Sequence, residues 1–123
     1  MASNGYDQFD QISLWISEFK GQRYMHMQQK PFKDENKRSR YIFLPIETVP
    51  RLIEKVDSVL IDGKCSDEPI CIRTDYQVLL SQSRQSIWEL KVMHVSEKMK
   101  PLSQIDIVDI IAFSRALKQC MLK

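Results

Sequence analysis

The sequence predicts an α+β fold of two tandem antiparallel β-sheet-plus-helix units (ββββα type), with the helices packed together as a pseudo-dimer core. Three observations predict it. Short stretches alternate apolar and polar residues with the period of two that marks half-buried strands. Each half then ends in a run with apolar residues at helical spacing. Finally, the pattern of the first half recurs in the second at a constant shift of 64 residues. The expected organisation is a loose arm over residues 1–10, a first β-β-β-α unit over 11–63 and a second over 64–123, in one compact domain. A chain of 123 residues is near the usual size for a single core.

In the first unit Ile12, Leu14 and Ile16 point one way and Ser13, Trp15 and Ser17 the other, as in a strand. Lys20-Gly21 is the expected tight turn, with Gly21 able to supply a positive φ. The next strand places Arg23, Met25, Met27 and Gln29 on one face and Tyr24, His26, Gln28 and Lys30 on the other. Both faces are mixed, so alternation leaves open which is buried. Pro31 ends this strand, and Lys33–Ser39 reads as a polar loop. The run Tyr41-Ile-Phe-Leu is too apolar for a solvent-facing segment and reads as a third strand, broken by Pro45. Thr48 is the expected N-cap of a helix with Pro50 in its first turn. Val49, Leu52, Ile53, Val56, Val59 and Leu60 form its apolar side, and Asp62-Gly63 its stop.

At the shift of 64, Ile16-Ser17 falls on Leu80-Ser81, Lys20 on Arg84, Tyr24 on Trp88, and Leu52-Ile53 on Ala116-Leu117, without gaps. Ile70–Thr74, Gln77–Leu80 and Ile87–Val95 read as strands, with Gln82–Ser86 as a turn. Two readings of Ser103–Leu122 stay open: a short strand at Ile105–Val108 followed by a helix, or one long helix capped by Ser103. The repeat favours the first. The final helix is apolar on more than one side, from Ile110 and Ile111 to Met121 and Leu122, and is expected to pack on the first helix, on a second subunit, or on both.

Composition bounds the function. The net charge is only +2, so a nucleic-acid site must come from local clustering. Such a cluster exists: Lys20, Arg23, Lys30, Lys33, Lys37, Arg38 and Arg40 stand against Asp34 and Glu35 alone. A charge run of this kind can also be just a solvated loop. Three cysteines without CxxC spacing, and two histidines, argue against a disulfide framework or a metal centre and suit a reducing compartment. The N-terminus lacks a signal-peptide layout, and no apolar run approaches the ~20 residues of a membrane span. An intracellular protein is expected, nuclear if eukaryotic and otherwise cytoplasmic. No paired carboxylates, Cys–His or Ser–His–Asp set, or glycine-rich phosphate loop stands out. A binding protein is therefore expected, without catalysis, cofactor, metal or small-molecule substrate.

The stretch Ile16-Ser-Glu-Phe-Lys-Gly-Gln-Arg-Tyr-Met-His-Met, a basic loop, and then Ile42-Phe-Leu-Pro-Ile-Glu-Thr-Val-Pro-Arg-Leu-Ile-Glu-Lys-Val resembles the single-stranded-DNA-binding domain of the transcriptional coactivator positive cofactor four. The likeness covers residues 14 to about 60. A tandem pair in one chain looks more like the Pur-alpha and Whirly relatives, which also bind single strands. The resemblance implies that Lys20, Arg23 and Lys30, with Lys37, Arg38 and Arg40 of the loop, meet phosphates. It implies that Tyr24, His26 or Phe32 stacks on bases, which is tolerant of sequence. In the second half Arg84, Trp88, Lys91, Lys98 and Lys100 would occupy the equivalent surface, although Gln85 stands where the family's turn has glycine. Trp88 and Phe19 also suit the core, which large aromatics favour. The expected partners are single-stranded DNA or RNA and a second copy, through the apolar C-terminal helix. The alternative is a protein–protein adaptor or dimerisation module whose basic loop only solubilises it.

Overall fold

The computed structural model describes residues 12–30, 40–64, 68–72, 74–84, 87–96 and 101–122. Strand β1 (Ile12–Phe19) turns through Lys20-Gly21 into β2 (Gln22–Gln29). Both turn residues take positive φ, 52° and 80°, which is what a two-residue type I′ hairpin needs to match the strands' twist. β3 (Arg40–Pro45) pairs antiparallel with β2, giving the order β1-β2-β3. A 3-10 turn at Ile46–Thr48 runs directly into helix α1 (Val49–Asp62). Gly63 stops α1 at a φ of 76°, its N–H donating to the Val59 carbonyl at 2.8 Å. Thr48 stands at the N-cap position, as expected, but makes no capping bond. Its backbone is already helical and it is buried, because the 3-10 turn begins the helical winding earlier than expected.

The second half consists of β4 (Ile70–Ile72), β5 (Tyr76–Arg84), β6 (Ile87–His94), β7 (Pro101–Ile107) and helix α2 (Ile110–Met121), with sheet order β4-β5-β6-β7. The strand-then-helix reading of the C-terminal segment holds. Asp109, not Ser103, begins the helix, its carboxylate accepting from the Ala112 amide at 3.0 Å. β5 continues to Arg84, through most of the expected turn, and β4 is shorter than expected. Four strands and a helix describe the second unit, whereas the first has three strands among the described residues. The N-terminal arm and the Lys33–Ser39 loop lie outside the described residues.

Alternation decides what each strand contributes to the core. Ile12 and Leu14 of β1, Met25 and Met27 of β2, and Ile42 and Leu44 of β3 face inward. Val78, Leu80, Trp88, Leu90, Ile105 and Ile107 do so from the second sheet, and one apolar cluster joins both sheets to both helices. The helices pack on each other, and α2 also packs on β1. Their contact is edged by an ion pair from Lys118 Nζ to Asp57 at 2.9 Å. α1 buries Leu52, Val56 and Val59 where α2 buries Phe113, Leu117 and Cys120, each pair 61 residues apart. Inward positions of the second strands, Met25 and Leu90, are instead 65 apart. The gapless shift of 64 therefore does not hold for these elements.

β3 and β7 lie side by side, and side chains join the sheets there. The buried amide of Gln29 imitates a strand's backbone: it donates to the Asp106 carbonyl at 2.7 Å and accepts from the Asp106 amide at 3.0 Å. Arg40 meets the Asp106 carboxylate at 2.9 Å, and the Ser103 hydroxyl donates to the Tyr41 carbonyl.

Candidate nucleic-acid interface

With its inner face covered by the core, the first sheet turns its other face outward. Register places Trp15, His26 and Phe43 in one row across β1, β2 and β3. Ser13, Gln28 and Tyr41 form the row on one side, and Ser17, Tyr24 and Pro45 the row on the other. Trp15, Tyr41 and Phe43 are 38, 40 and 52% exposed, large values for aromatic rings on a folded sheet. The rings touch as a set. Trp15 and His26 stack almost parallel, 2° between planes and 5.1 Å between centroids. His26 lies 6.1 Å from Phe43, and Phe43 meets Tyr24 edge-on at 5.6 Å. The result is a continuous aromatic surface with ring faces and edges open to solvent.

Polar contacts hold His26 in place. Its Nε2 shares a hydrogen bond of 2.6 Å with Ser17 Oγ, and its Nδ1 another with the Tyr41 hydroxyl. Burial among the rings lowers the imidazole's pKa below its ordinary value and raises that of the Tyr41 phenol. Both groups are therefore neutral near pH 7. No described strand residue on this outward face is a carboxylate. Alongside, a cleft of about 400 Å³ runs between Tyr24, Tyr41 and Phe43 of the first sheet and Tyr76, Val92 and Leu102 of the second. It is lined chiefly by apolar and aromatic side chains.

Tyr24 and His26 stand in this surface. Lys20 and Lys30 are exposed at opposite ends of β2, with the Lys20 ammonium 5.3 Å from the ring centre of Phe19. Arg23 is exposed but points to the other face from Tyr24, since adjacent strand residues diverge, and it lines a groove with Ile16 and Cys120. Arg40 is half exposed, its charge directed at Asp106. Phe32, Lys37 and Arg38, with Lys98 and Lys100, lie outside the described residues, as does the side chain of Arg84.

Trp88 is not a surface residue. It is 6% exposed and belongs to the core. The β5–β6 register shifts between Gln82 and Arg84, a bulge absent from the β1–β2 hairpin. One extra residue turns every following side chain to the opposite face, so Trp88 does not stand where Tyr24 stands. Lys91 does face outward, but its ammonium pairs with Glu89 at 3.0 Å. The second sheet's outward strand positions among the described residues, which include Gln77, Ser81, Glu89, Lys91, Gln104 and Asp106, carry no comparable aromatic row.

Phe19, expected in the core, is 63% exposed. Sequence reasoning also missed Trp15, Ser17, Tyr41 and Phe43 as site residues. The signal was present in Tyr41-Ile-Phe-Leu: the rings occupy one parity and the aliphatic residues the other. High overall apolarity concealed that alternation. Comparison with protein families, curated proteins and solved structures finds no match to this chain.

Proposed function

We propose that the chain binds single-stranded nucleic acid across the outward face of its first sheet, without sequence readout, and that the strand continues along the cleft toward the second sheet. The observation that carries this reading is the joined set of rings Trp15, Tyr24, His26, Tyr41 and Phe43 on an open face whose described strand positions hold no carboxylate. Unpaired bases can stack on such rings whatever their identity, whereas a duplex presents its bases already stacked. Lys20 and Lys30 at the two ends of β2 are placed to meet phosphates. DNA and RNA are both suitable ligands, since neither stacking nor phosphate contact reads the 2′-hydroxyl. A role in transcription or replication follows as part of the proposal.

We further read the two halves as a duplicated unit forming a pseudo-dimer. The succession of antiparallel strands and then a helix in each half, and the packing of α1 on α2, support this. The core already takes up Phe113, Ala116, Leu117 and Cys120, leaving Ile111 of α2 and Leu122 just past its end exposed. The proposed binding unit is accordingly one chain, in place of a homodimer through that helix.

Fluorescence anisotropy of labelled single-stranded and duplex oligonucleotides at two salt concentrations tests the function. Preferential single-strand binding that weakens steeply with salt is the expected result, because phosphate contacts release counterions. Absence of binding at low salt would overturn the proposal and return the aromatic face to the adaptor reading, in which apolar contacts are nearly indifferent to salt.

A further inference from the structure

We propose that Ser17, His26 and Tyr41 form a proton-activated subsite for a phosphodiester oxygen, so that binding of a nucleic-acid strand takes up a proton at His26. This inference rests on the function proposed above. A neutral imidazole has one N–H and one lone pair. Held between the Ser17 and Tyr41 hydroxyls, it donates to one and accepts from the other. The hydroxyl that donates to the ring has no proton left for a ligand, and the other has one. An imidazolium donates from both nitrogens. Both hydroxyls then become acceptors toward the ring, and both of their protons can point outward. Protonation thus adds a unit positive charge and a second outward O–H donor at one place.

The surroundings suit that change. Trp15 lies parallel to the ring at 5.1 Å, within the distance at which an indole face stabilises a cation. From β1 the outward neighbours of His26 are Trp15 and Ser17, from its own strand Tyr24 and Gln28, and from β3 Tyr41 and Phe43. The titratable groups among them are the two phenols; no carboxylate faces the ring from these strands to hold the proton without a ligand. The nearby acids are otherwise placed: Glu18 has the opposite strand parity, Glu47 accepts from Gln22, and Asp106 pairs with Arg40. Desolvation among the rings accordingly keeps the unliganded imidazole neutral near pH 7. A bound phosphate supplies the missing negative charge. By linkage, an anion that prefers the imidazolium must raise its pKa, and lowering the pH must tighten the anion.

The test is anisotropy of labelled oligo(dT), whose bases and phosphodiesters do not titrate in this interval, from pH 8.0 to 5.5 at constant ionic strength. Wild type and His26→Gln are compared, with thermal melting to verify that the variant folds. Histidine NMR resonances are titrated in parallel, with and without the dinucleotide d(TpT). Wild-type affinity is expected to rise on acidification by about tenfold for each pKa unit that binding adds to His26. The variant should lose most of that rise, and d(TpT) should move the His26 midpoint upward. Oligonucleotide binding with the same pH profile in both proteins would overturn the subsite and leave the proposed function standing. If no oligonucleotide binds at any pH, the proposed function falls and the dinucleotide titration decides the subsite: an upward shift of His26 supports it, and an unmoved midpoint overturns it.

Discussion

At the scale of the residue, Trp15 and Trp88 show how one side-chain type serves two ends. Trp15 stands on the outward side of β1 with its face against His26, whereas Trp88 is buried in the apolar core. Substitution should separate the roles. Trp15→Ala is expected to weaken oligonucleotide binding by ~1–3 kcal/mol, the usual worth of one stacked base, with little change in melting temperature because little apolar area leaves the core. Trp88→Ala should instead cost about 3–5 kcal/mol of folding stability through the cavity it leaves. Anisotropy and chemical denaturation on the two variants check the contrast. A Trp15 variant that binds as tightly as wild type would remove the tryptophan from the proposed contact surface.

At the scale of the element, the two helices begin by different means. α1 inherits its winding from the 3-10 turn and has no side-chain cap bond, so Thr48 contributes through burial. α2 starts abruptly from extended backbone at Asp109, and the carboxylate there takes up the Ala112 amide, one of the donors that a helix start leaves without an intrahelical partner. Asp109→Ala should therefore cost about 1 kcal/mol, and Asp109→Asn should recover most of it, as read from denaturation midpoints. Equal stability of all three proteins would show that the cap bond contributes nothing net. The hairpins differ in a similar way: β1–β2 closes on two left-handed residues with unbroken register, whereas β5–β6 carries a bulge. That bulge decides which side of the second sheet receives its tryptophan.

At the scale of the whole molecule, the two sheets share a core but do not continue into one another as a single hydrogen-bonded sheet. Gln29 bridges them with two bonds to the backbone of one residue of β7, Asp106, reaching across 77 residues of chain. Gln29→Leu would leave the Asp106 amide and carbonyl without these partners in a part-buried place, which should cost about 1–3 kcal/mol. It should also loosen the cleft, since Tyr41 and Ser103 on its walls belong to the same junction. Hydrogen exchange at the β3 and β7 amides, measured beside global stability, checks this. Unchanged protection would show that the apolar core alone holds the sheets in register.

Much of the architecture was legible in local chemistry. Period-two alternation, the Lys20-Gly21 turn, the helical spacing up to Gly63 and the strand before α2 all depend on near neighbours, which the linear chain lists directly. The residues of the candidate surface were legible only in part. Tyr24 and His26 could be named, but a mixed strand such as β2 does not say which side will be covered, and that choice sorted Arg23 from Tyr24. A shared pattern of the two halves was visible, but alignment at one offset has no means of registering a bulge, and the burial of Trp88 follows from that single residue. The aromatic rows exist only across strands: Trp15, His26 and Phe43 are far apart in sequence and adjacent in register. The elements follow from the chain alone, because their signals are local. Which face became the core, which rings stayed outside, and how Ser17 and Tyr41 came to hold His26 were decided by the tertiary structure, because pairing and packing bring distant residues together.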